Sequence, residues 1–141
     1  MPKFGESSMK ALNTANKELR DLFLEVVKTY DCSVLCGFRG QEDQDKAVAS
    51  SKSKTLWPNS KHNTYPSIAV DVVPYPTIWP APNQSINEIV KNTGRFYQFI
   101  GYVRRTAEQM GIKIRCGADW DGDFEIKDQN WDDLPHFELI K

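Results

Sequence analysis

The sequence predicts a small α+β domain in which helices pack on an antiparallel or mixed sheet. Apolar residues with helical spacing occupy the first quarter of the chain and a long segment after residue 85, and short apolar runs lie between them. A chain of 141 residues with 40% hydrophobic content is long enough to bury one core. We therefore predict one domain over residues 1–141, with no second domain.

Two segments have the apolar spacing of amphipathic helices. The first covers residues 7–30, where Thr and Asn side chains suited to capping predict a break near residues 13–16. The second begins after Ser85, which forms a capping box with Glu88, and ends at Gly111. A shorter helix is predicted after the loop that follows the first strand.

Short apolar runs bounded by turn residues predict the strands. Proline, asparagine and aspartate are frequent in the segments between these runs, which favours loops, above all in the third quarter of the chain. The predicted strands cover residues 32–38, 67–73, 112–117 and 136–140.

The charge balance argues against several classes of partner. The chain has 18 basic and 19 acidic residues, whereas a general nucleic-acid binder is usually basic. The segment "MPKFGESSMK" lacks the apolar core of a signal peptide, and every apolar run is shorter than a membrane span. We expect a monomer that is made in the cytosol and stays there, without nucleic-acid partner or membrane insertion.

The three cysteines are predicted to be free thiols, because their number is odd and the chain starts like a cytosolic protein. Cys32 and Cys36 are spaced like a loose metal-binding pair, but both fall in a predicted strand. We therefore interpret them as small buried hydrophobic residues rather than ligands.

Asp71 interrupts an otherwise apolar strand, "SIAVDVV". Side chains alternate between the two faces of a strand, and both faces here are apolar apart from Asp71, which predicts a central strand. A carboxylate buried there without a partner costs several kcal/mol. Either a turn or an arginine donates hydrogen bonds to it, or a metal ion offsets its desolvation.

The chain has two histidines, and each lies near the start of a predicted strand and has acidic residues nearby. A lone histidine is more often structural, but His62 and His136 share this setting. Pro135 favours extended backbone before it, which places Asp133 just before the last strand and within reach of a water near His136. Glu138 shares a strand face with His136, so it either orients the imidazole or is a rival general base.

Two imidazoles and one carboxylate make three protein ligands. Three ligands with an open position are typical of catalytic zinc, whereas structural zinc usually has four ligands, most of them cysteines. Hydrolysis of an amide at such a site also needs a positive group for the developing oxyanion. Arg39, at the end of the first strand, is the candidate, and an exposed surface arginine is the alternative. Without the histidine, Asp132 and Asp133 would be a solvated acidic turn.

A separate acidic segment, "DWDGDFE", alternates like the start of a calcium-binding loop. Asp119, Asp121 and Asp123 occupy the ligand positions, but Phe124 stands where such loops need glycine. We favour a solvated acidic turn, with Ca²⁺ as the alternative.

The motifs "SKHNTYPSIAVD" and "DLPHFEL", together with "CGFRG" and "GADWDGD", resemble the zinc D,D/L,D-peptidase family. More closely, they resemble bacteriophage endolysins of the L-alanyl-D-glutamate peptidase type. The family signature is Ser-x-His, a strand with Ala-x-Asp, and an acidic residue three positions before a last histidine. The resemblance runs from about residue 5 to the end, and it implies a hedgehog/D,D-peptidase-like fold.

The resemblance also implies roles for individual residues. One zinc ion would be bound by two histidines and an aspartate, with a general base, an arginine near the scissile bond, a serine that supports the first ligand and a tryptophan near the cleft. The sequence departs from the family in a segment between the first two ligands that is two residues longer, and in a glutamate where some members have histidine. The zinc ligands would be His62, His136 and Asp71, the general base would be Asp133 and the arginine Arg39. Ser60 would support the first ligand and Trp120 would lie near the cleft. Glu138 stands where some members have histidine.

The resemblance implies hydrolysis of the L-alanyl-D-glutamate bond in peptidoglycan stem peptides. Such an enzyme would wait in the host cytoplasm until lysis and then act on the wall, here without a separate wall-binding domain. Two alternatives remain open from the residues: a D-alanyl-D-alanine carboxypeptidase or dipeptidase, and a non-catalytic domain that is stabilised by zinc and binds wall peptides.

Overall fold

In the computed structural model, which describes residues 1–140, four strands form one antiparallel sheet. The observed sheet order is β1-β2-β4-β3, and every neighbouring pair is antiparallel, so the mixed alternative is not the one adopted. The strands are β1 Cys32–Cys36, β2 Ala69–Pro74, β3 Ile114–Gly117 and β4 Asp133–Leu139.

The start of α2 and both ends of α4 lie where the capping residues predict. The predicted break in the first helix is present, and the Asn16 side chain caps the second half. Ser85 and Glu88 form the predicted capping box, and Gly111 ends the long helix in the left-handed conformation at φ 70°. Within residues 1–140, no helix is both long and apolar enough to cross a membrane. The helices are α1 Glu6–Leu12, α2 Lys17–Val27, α3 Gln41–Ala49 and α4 Ile86–Met110, with a 3₁₀ turn at Lys61–Asn63.

One face of the sheet carries the core. Phe137 on β4 is fully buried, and its ring lies 5.3 Å from that of Phe23 on α2 and 6.2 Å from that of Phe99 on α4. Val70 and Val72 of β2 belong to the same cluster. Burial of these side chains provides the hydrophobic stabilisation of the fold, and it fixes which face of each strand points away from the helices.

The opposite face of the sheet carries the polar residues of interest. β2 is central, as the apolar pattern around Asp71 predicts. Asp71 pairs with His136 on one side and with Cys36 on the other. Directly paired residues in a ladder share a face, so the sheet itself brings these three side chains together.

Strand β4 begins earlier than predicted, which corrects the position of Asp133. The sequence places Asp133 just before the strand, because Pro135 favours extended backbone at the preceding residue. In the structure Asp133 pairs with Gly117, after a register shift between Cys116 and Gly117. This irregularity lets the strand continue past the proline, so Asp133 is a residue of β4.

The prediction for the cysteines is partly wrong. All three are free thiols, and Cys32 is buried as expected. Cys36 is only partly buried, because it lies at the register shift where β1 leaves β2, and it faces the cleft rather than the core.

Candidate active site

The structure brings all eight predicted site residues to one cleft of about 1060 Å³. They come from the loop after β1, the 3₁₀ turn, strands β2 and β4, and the loop between β3 and β4. The cleft opens over the polar face of the sheet. The eight residues are Arg39, Ser60, His62, Asp71, Trp120, Asp133, His136 and Glu138.

Two imidazoles converge on one oxygen of Asp71. Asp71 Oδ1 lies 3.2 Å from His62 Nε2 and 3.6 Å from His136 Nδ1. The two imidazole rings have centroids 5.2 Å apart and cross at 73°. The nitrogens that face the carboxylate are therefore Nε2 of the first histidine and Nδ1 of the second.

Backbone contacts hold His62 in this orientation. Its Nδ1 lies 2.8 Å from the carbonyl oxygen of Gly37, so Nδ1 carries a proton and donates to it, which leaves Nε2 for Asp71. Ser60 Oγ accepts from the His62 backbone N–H at 3.2 Å and caps the 3₁₀ turn, in agreement with its predicted supporting role. Cys36 Sγ lies 3.8 Å from His62 Nδ1.

A carboxylate orients His136. Its Nε2 donates to Glu138 Oε1 at 2.8 Å, and Arg115 Nη2 donates to Glu138 Oε2 at 2.7 Å. Glu138 is thus buried, paired and engaged on the far side of the ring from Asp71. Of its two predicted roles, this geometry supports the one in which it orients the imidazole.

The electrostatics of the three residues are strongly coupled. Burial raises the pKa of Asp71, but His136 and His62 outweigh burial and hold it well below its usual range. Burial lowers the pKa of His62, whereas Asp71 and Cys36 together raise it to about 10. The pKa of His136 is raised too, because Asp71 and Glu138 outweigh its burial.

These residues fit a metal ion. Asp71 Oδ1 is buried and accepts no hydrogen bond from any described residue, although each buried carboxylate oxygen normally has a partner. Around a tetrahedral zinc with ligand distances of about 2.0–2.1 Å, neighbouring ligand atoms lie about 3.3 Å apart. The separations of Asp71 Oδ1 from His62 Nε2 and from His136 Nδ1, 3.2 and 3.6 Å, are each close to this spacing. Two overlapping groups of ligand atoms contain Asp71, one with Cys36 and His62 and one with Asp133 and His136.

Asp133 is a half-buried carboxylate beside His136. Its Oδ2 lies 3.7 Å from His136 Nδ1. Burial and then the negative charge of Asp71 raise its pKa above the ordinary value of 3.8, even though His136, His62 and Arg39 lower it. A carboxylate with a raised pKa takes a proton from water more readily.

Comparison with known proteins agrees with the motifs and the fold. The family model of the phage L-alanyl-D-glutamate peptidases matches residues 1–140. The chain belongs to this family. The L-alanyl-D-glutamate peptidase of Escherichia phage T5 is 30% identical to it over 147 aligned residues, which cover 98% of each chain. The Serratia marcescens L-Ala D-Glu endopeptidase ChiX has the same fold, with a TM-score of 0.67, 24% identity and coverage of 98% and 90% of the two chains.

In this member of the phage L-alanyl-D-glutamate peptidase family, Arg39 is not a surface residue. Its side chain is 16% exposed, and its Nη2 lies 3.5 Å from Asp71 Oδ2. Its Nη1 donates to Gln44 Oε1 at 3.0 Å. The alternative of an exposed arginine is therefore wrong, and the guanidinium is held between two acceptors at the cleft.

Two tryptophans form one wall of the peptidase cleft. Trp120 lies 5.4 Å from His136 between ring centroids and stacks on Trp131 at 5.8 Å and 17°. Its indole N–H donates to the Trp131 carbonyl at 2.9 Å. Trp120 is near the cleft as predicted. Trp131 was missed, because a tryptophan in an acidic loop has no periodic signal in the sequence.

The second acidic cluster is also assembled. The ligand atoms of Asp119, Asp121 and Asp123 lie within 4.8 Å of one another. The solvated turn is right for the two exposed members and wrong for Asp119, which is 1% exposed. Arg104 and the Phe124 N–H donate to its Oδ2, and its Oδ1 has no partner among the described residues. Calcium at this cluster stays a prediction.

Proposed function

We propose that the protein is a zinc peptidase that hydrolyses the L-alanyl-D-glutamate bond of peptidoglycan stem peptides. The observation that carries this proposal is the buried Asp71 oxygen shared by two imidazoles, with a basic carboxylate and a guanidinium in the same cleft. Membership of the phage L-alanyl-D-glutamate peptidase family supports the bond that is cleaved.

His62 Nε2, Asp71 Oδ1 and His136 Nδ1 would hold the zinc ion. When bound, zinc would act as a Lewis acid and make water nucleophilic near neutral pH. Three protein ligands would leave one coordination position open, which is typical of a catalytic rather than a structural site.

Asp133 moves the proton in this proposal. A water molecule in the cleft adds its oxygen to the carbonyl carbon of L-alanine, and Asp133 Oδ2 takes the proton that the water loses. Asp133 then gives this proton to the nitrogen of D-glutamate as the carbon–nitrogen bond breaks. The second proton of the water also passes to this nitrogen, so the products are an L-alanine carboxylate and a D-glutamate with a free, protonated amino group. Its raised pKa suits both the base and the acid step.

Arg39 holds the charge that develops on the carbonyl oxygen. A guanidinium always carries a positive charge, and its buried position makes the attraction stronger than it would be in water. With Nη1 and Nη2 each near an acceptor, the group is oriented before substrate binds.

The proposal also covers where the enzyme acts. A phage enzyme of this class would remain in the host cytoplasm until lysis and then degrade the wall as a monomer. The phage name of the family and the peptidase name of the phage T5 relative support this setting.

The test of the role assignment is a pair of variants. We expect Asp133→Asn to keep about one zinc per chain and to lose about 10²–10⁴-fold in rate, because the general base is gone and the ligands are intact. We expect His136→Ala to lose the zinc. Zinc content and turbidity loss of outer-membrane-permeabilised cells measure both, and Asp132→Asn on the exposed neighbour is the matched control. Equal clearing by wild type and Asp133→Asn would refute the catalytic role.

Mass spectrometry of digested muropeptides decides between the proposed bond and its rivals. A new free amine on D-glutamate supports the proposal. Loss of a terminal D-alanine would instead identify a D-alanyl-D-alanine carboxypeptidase, and intact muropeptides would favour a binding domain.

A further inference from the structure

Gln44 is a buried polar residue on a helix that is otherwise exposed or half-buried. Helix α3 reads "QEDQDKAVA", and Gln44 is its buried member, with 0% exposure. A buried amide costs free energy unless its donors and acceptors are all bonded. Its burial therefore needs an explanation that helix packing does not give.

Both ends of the Gln44 amide are fully hydrogen-bonded. Oε1 accepts from Arg39 Nη1 at 3.0 Å and from Asn63 Nδ2 at 3.1 Å. Nε2 donates to Ser53 Oγ at 3.0 Å and to the Thr55 carbonyl at 2.6 Å. Two acceptor positions and two donors are the whole capacity of a glutamine side chain.

Asn63 extends this network to the turn that carries the first histidine. Its Nδ2 also donates to the Arg39 carbonyl at 3.0 Å, and its Oδ1 accepts from the Ser60 N–H at 3.0 Å. The Arg39 N–H donates to the His62 carbonyl at 2.8 Å. The loop with the guanidinium and the turn with the imidazole are thus joined around one buried amide.

We propose that Gln44 is a positioning residue that fixes the Arg39 guanidinium towards the scissile carbonyl; this rests on the proposed function. Gln44 is too deeply buried to touch substrate, so it acts through Arg39. A free arginine side chain samples many rotamers. Binding Nη1 to Gln44 removes much of that freedom before the reaction, and a donor fixed in advance is what stabilises an oxyanion.

A double-mutant cycle tests this on a soluble disaccharide tripeptide that contains the L-alanyl-D-glutamate bond. We expect Gln44→Met, which keeps length and removes the acceptor, to lower kcat about tenfold with KM within about twofold. In an Arg39→Ala background, Gln44→Met should change kcat by less than about twofold, because the group it positions is absent. Gln41→Met, the same change at an exposed position of α3, is the matched control and should match wild type.

Two outcomes would overturn the proposal. One is an unchanged kcat in Gln44→Met; the other is the same fractional loss in both backgrounds, which would mean that Gln44 acts independently of Arg39. Zinc content and thermal unfolding of each variant identify a merely structural loss. If Gln44→Met does not fold, Gln44→Glu replaces it, since its carboxylate still accepts from Arg39. The kcat of that variant should stay within about threefold of wild type and above the kcat of Arg39→Ala. A fall in kcat as large as that of Arg39→Ala would refute the proposal. A wild type that leaves the bond intact would refute the proposed function instead.

Discussion

At the scale of single residues, the hydrogen bonds behind the two imidazoles decide which nitrogen faces Asp71. His62 donates from Nδ1 to a backbone carbonyl, whereas His136 donates from Nε2 to the Glu138 carboxylate. A carboxylate behind a ligand histidine makes the ring a stronger base and fixes its orientation. The two histidines therefore differ in electron donation, although both point at one oxygen.

Removing the charge behind His136 is expected to weaken metal binding. In Glu138→Gln, the ring loses its anionic acceptor and Arg115 loses its partner, so zinc affinity should fall about 10–100-fold. Competition with a chromogenic chelator measures this affinity. Glu42→Gln is the matched control, because Glu42 is exposed and pairs with Lys46 on α3. An affinity within about twofold of wild type would contradict the orienting role.

At the scale of elements, one glycine determines how closely β3 and β4 approach. A Cβ added at Gly117 would overlap the carbonyl oxygen of Asp133 and would lie 2.7 Å from its Cβ. The absence of a side chain lets the ladder continue to Asp133 and carries that carboxylate into the cleft.

A methyl group at this position is expected to displace Asp133, the proposed general base. Gly117→Ala forces the Asp133 backbone to move, so we expect about 1–3 kcal/mol of destabilisation and a lower kcat. Urea unfolding and turnover measure the two effects. Gly101→Ala is the control, since its Cβ would meet nothing within 4 Å in the middle of α4 and should add up to about 1 kcal/mol of stability. A normal kcat in Gly117→Ala would show that the close approach is not needed for the reaction.

The long segment between His62 and Asp71 is anchored away from these two residues. Ser67 is fully buried. Its backbone N–H donates to the Thr14 carbonyl at 2.9 Å, and its own carbonyl accepts from the Asn16 N–H at 2.8 Å. Tyr65 is 69% exposed and packs on Phe38 with ring centroids 5.5 Å apart. The extra length is therefore accommodated between α1 and the rim of the cleft, and His62 still meets Asp71.

At the scale of the whole molecule, the sheet separates an apolar core from a cleft that concentrates buried charge. Phe137 and His136 are neighbours in sequence and face opposite sides of β4. The cleft side holds several carboxylates and cations that are largely removed from water, which costs free energy unless each charge is compensated. A bound cation would compensate the Asp71 oxygen that has no hydrogen bond.

Metal affinity is expected to fall as the pH falls. Without metal, Asp71 and Cys36 raise the pKa of His62 to about 10, so this ring holds an extra proton in the neutral range, and Asp71 and Glu138 raise the pKa of His136 above its ordinary value. Zinc must displace those protons, and each one displaced weakens binding by up to about tenfold per pH unit below the raised pKa. Zinc titrations between about pH 6 and pH 8 measure the slope. A flat profile would mean that these histidines are not the ligands.

The sequence predicted the α+β fold because local rules decide most of it. Apolar spacing identified the helices, and the caps at Ser85 and Gly111 identified the ends of the longest one. A carboxylate in an apolar run marked β2 as central, since burial on both faces leaves this pattern. The two histidines and the spacing of the motifs around them were enough to nominate the site and the family.

Other features were settled only by tertiary structure, because they depend on partners distant in sequence. Gln44 stands in a polar helix and offers no pattern, yet Asn63 and Arg39 meet at its amide. Arg115 reaches Glu138 from a neighbouring strand. The start of β4 depended on Gly117, since close packing rather than propensity extended the ladder past a proline. Sequence thus nominated the side chains for the chemistry. The folded chain decided what holds them in place, because hydrogen-bond partners and packing space exist only once distant segments meet.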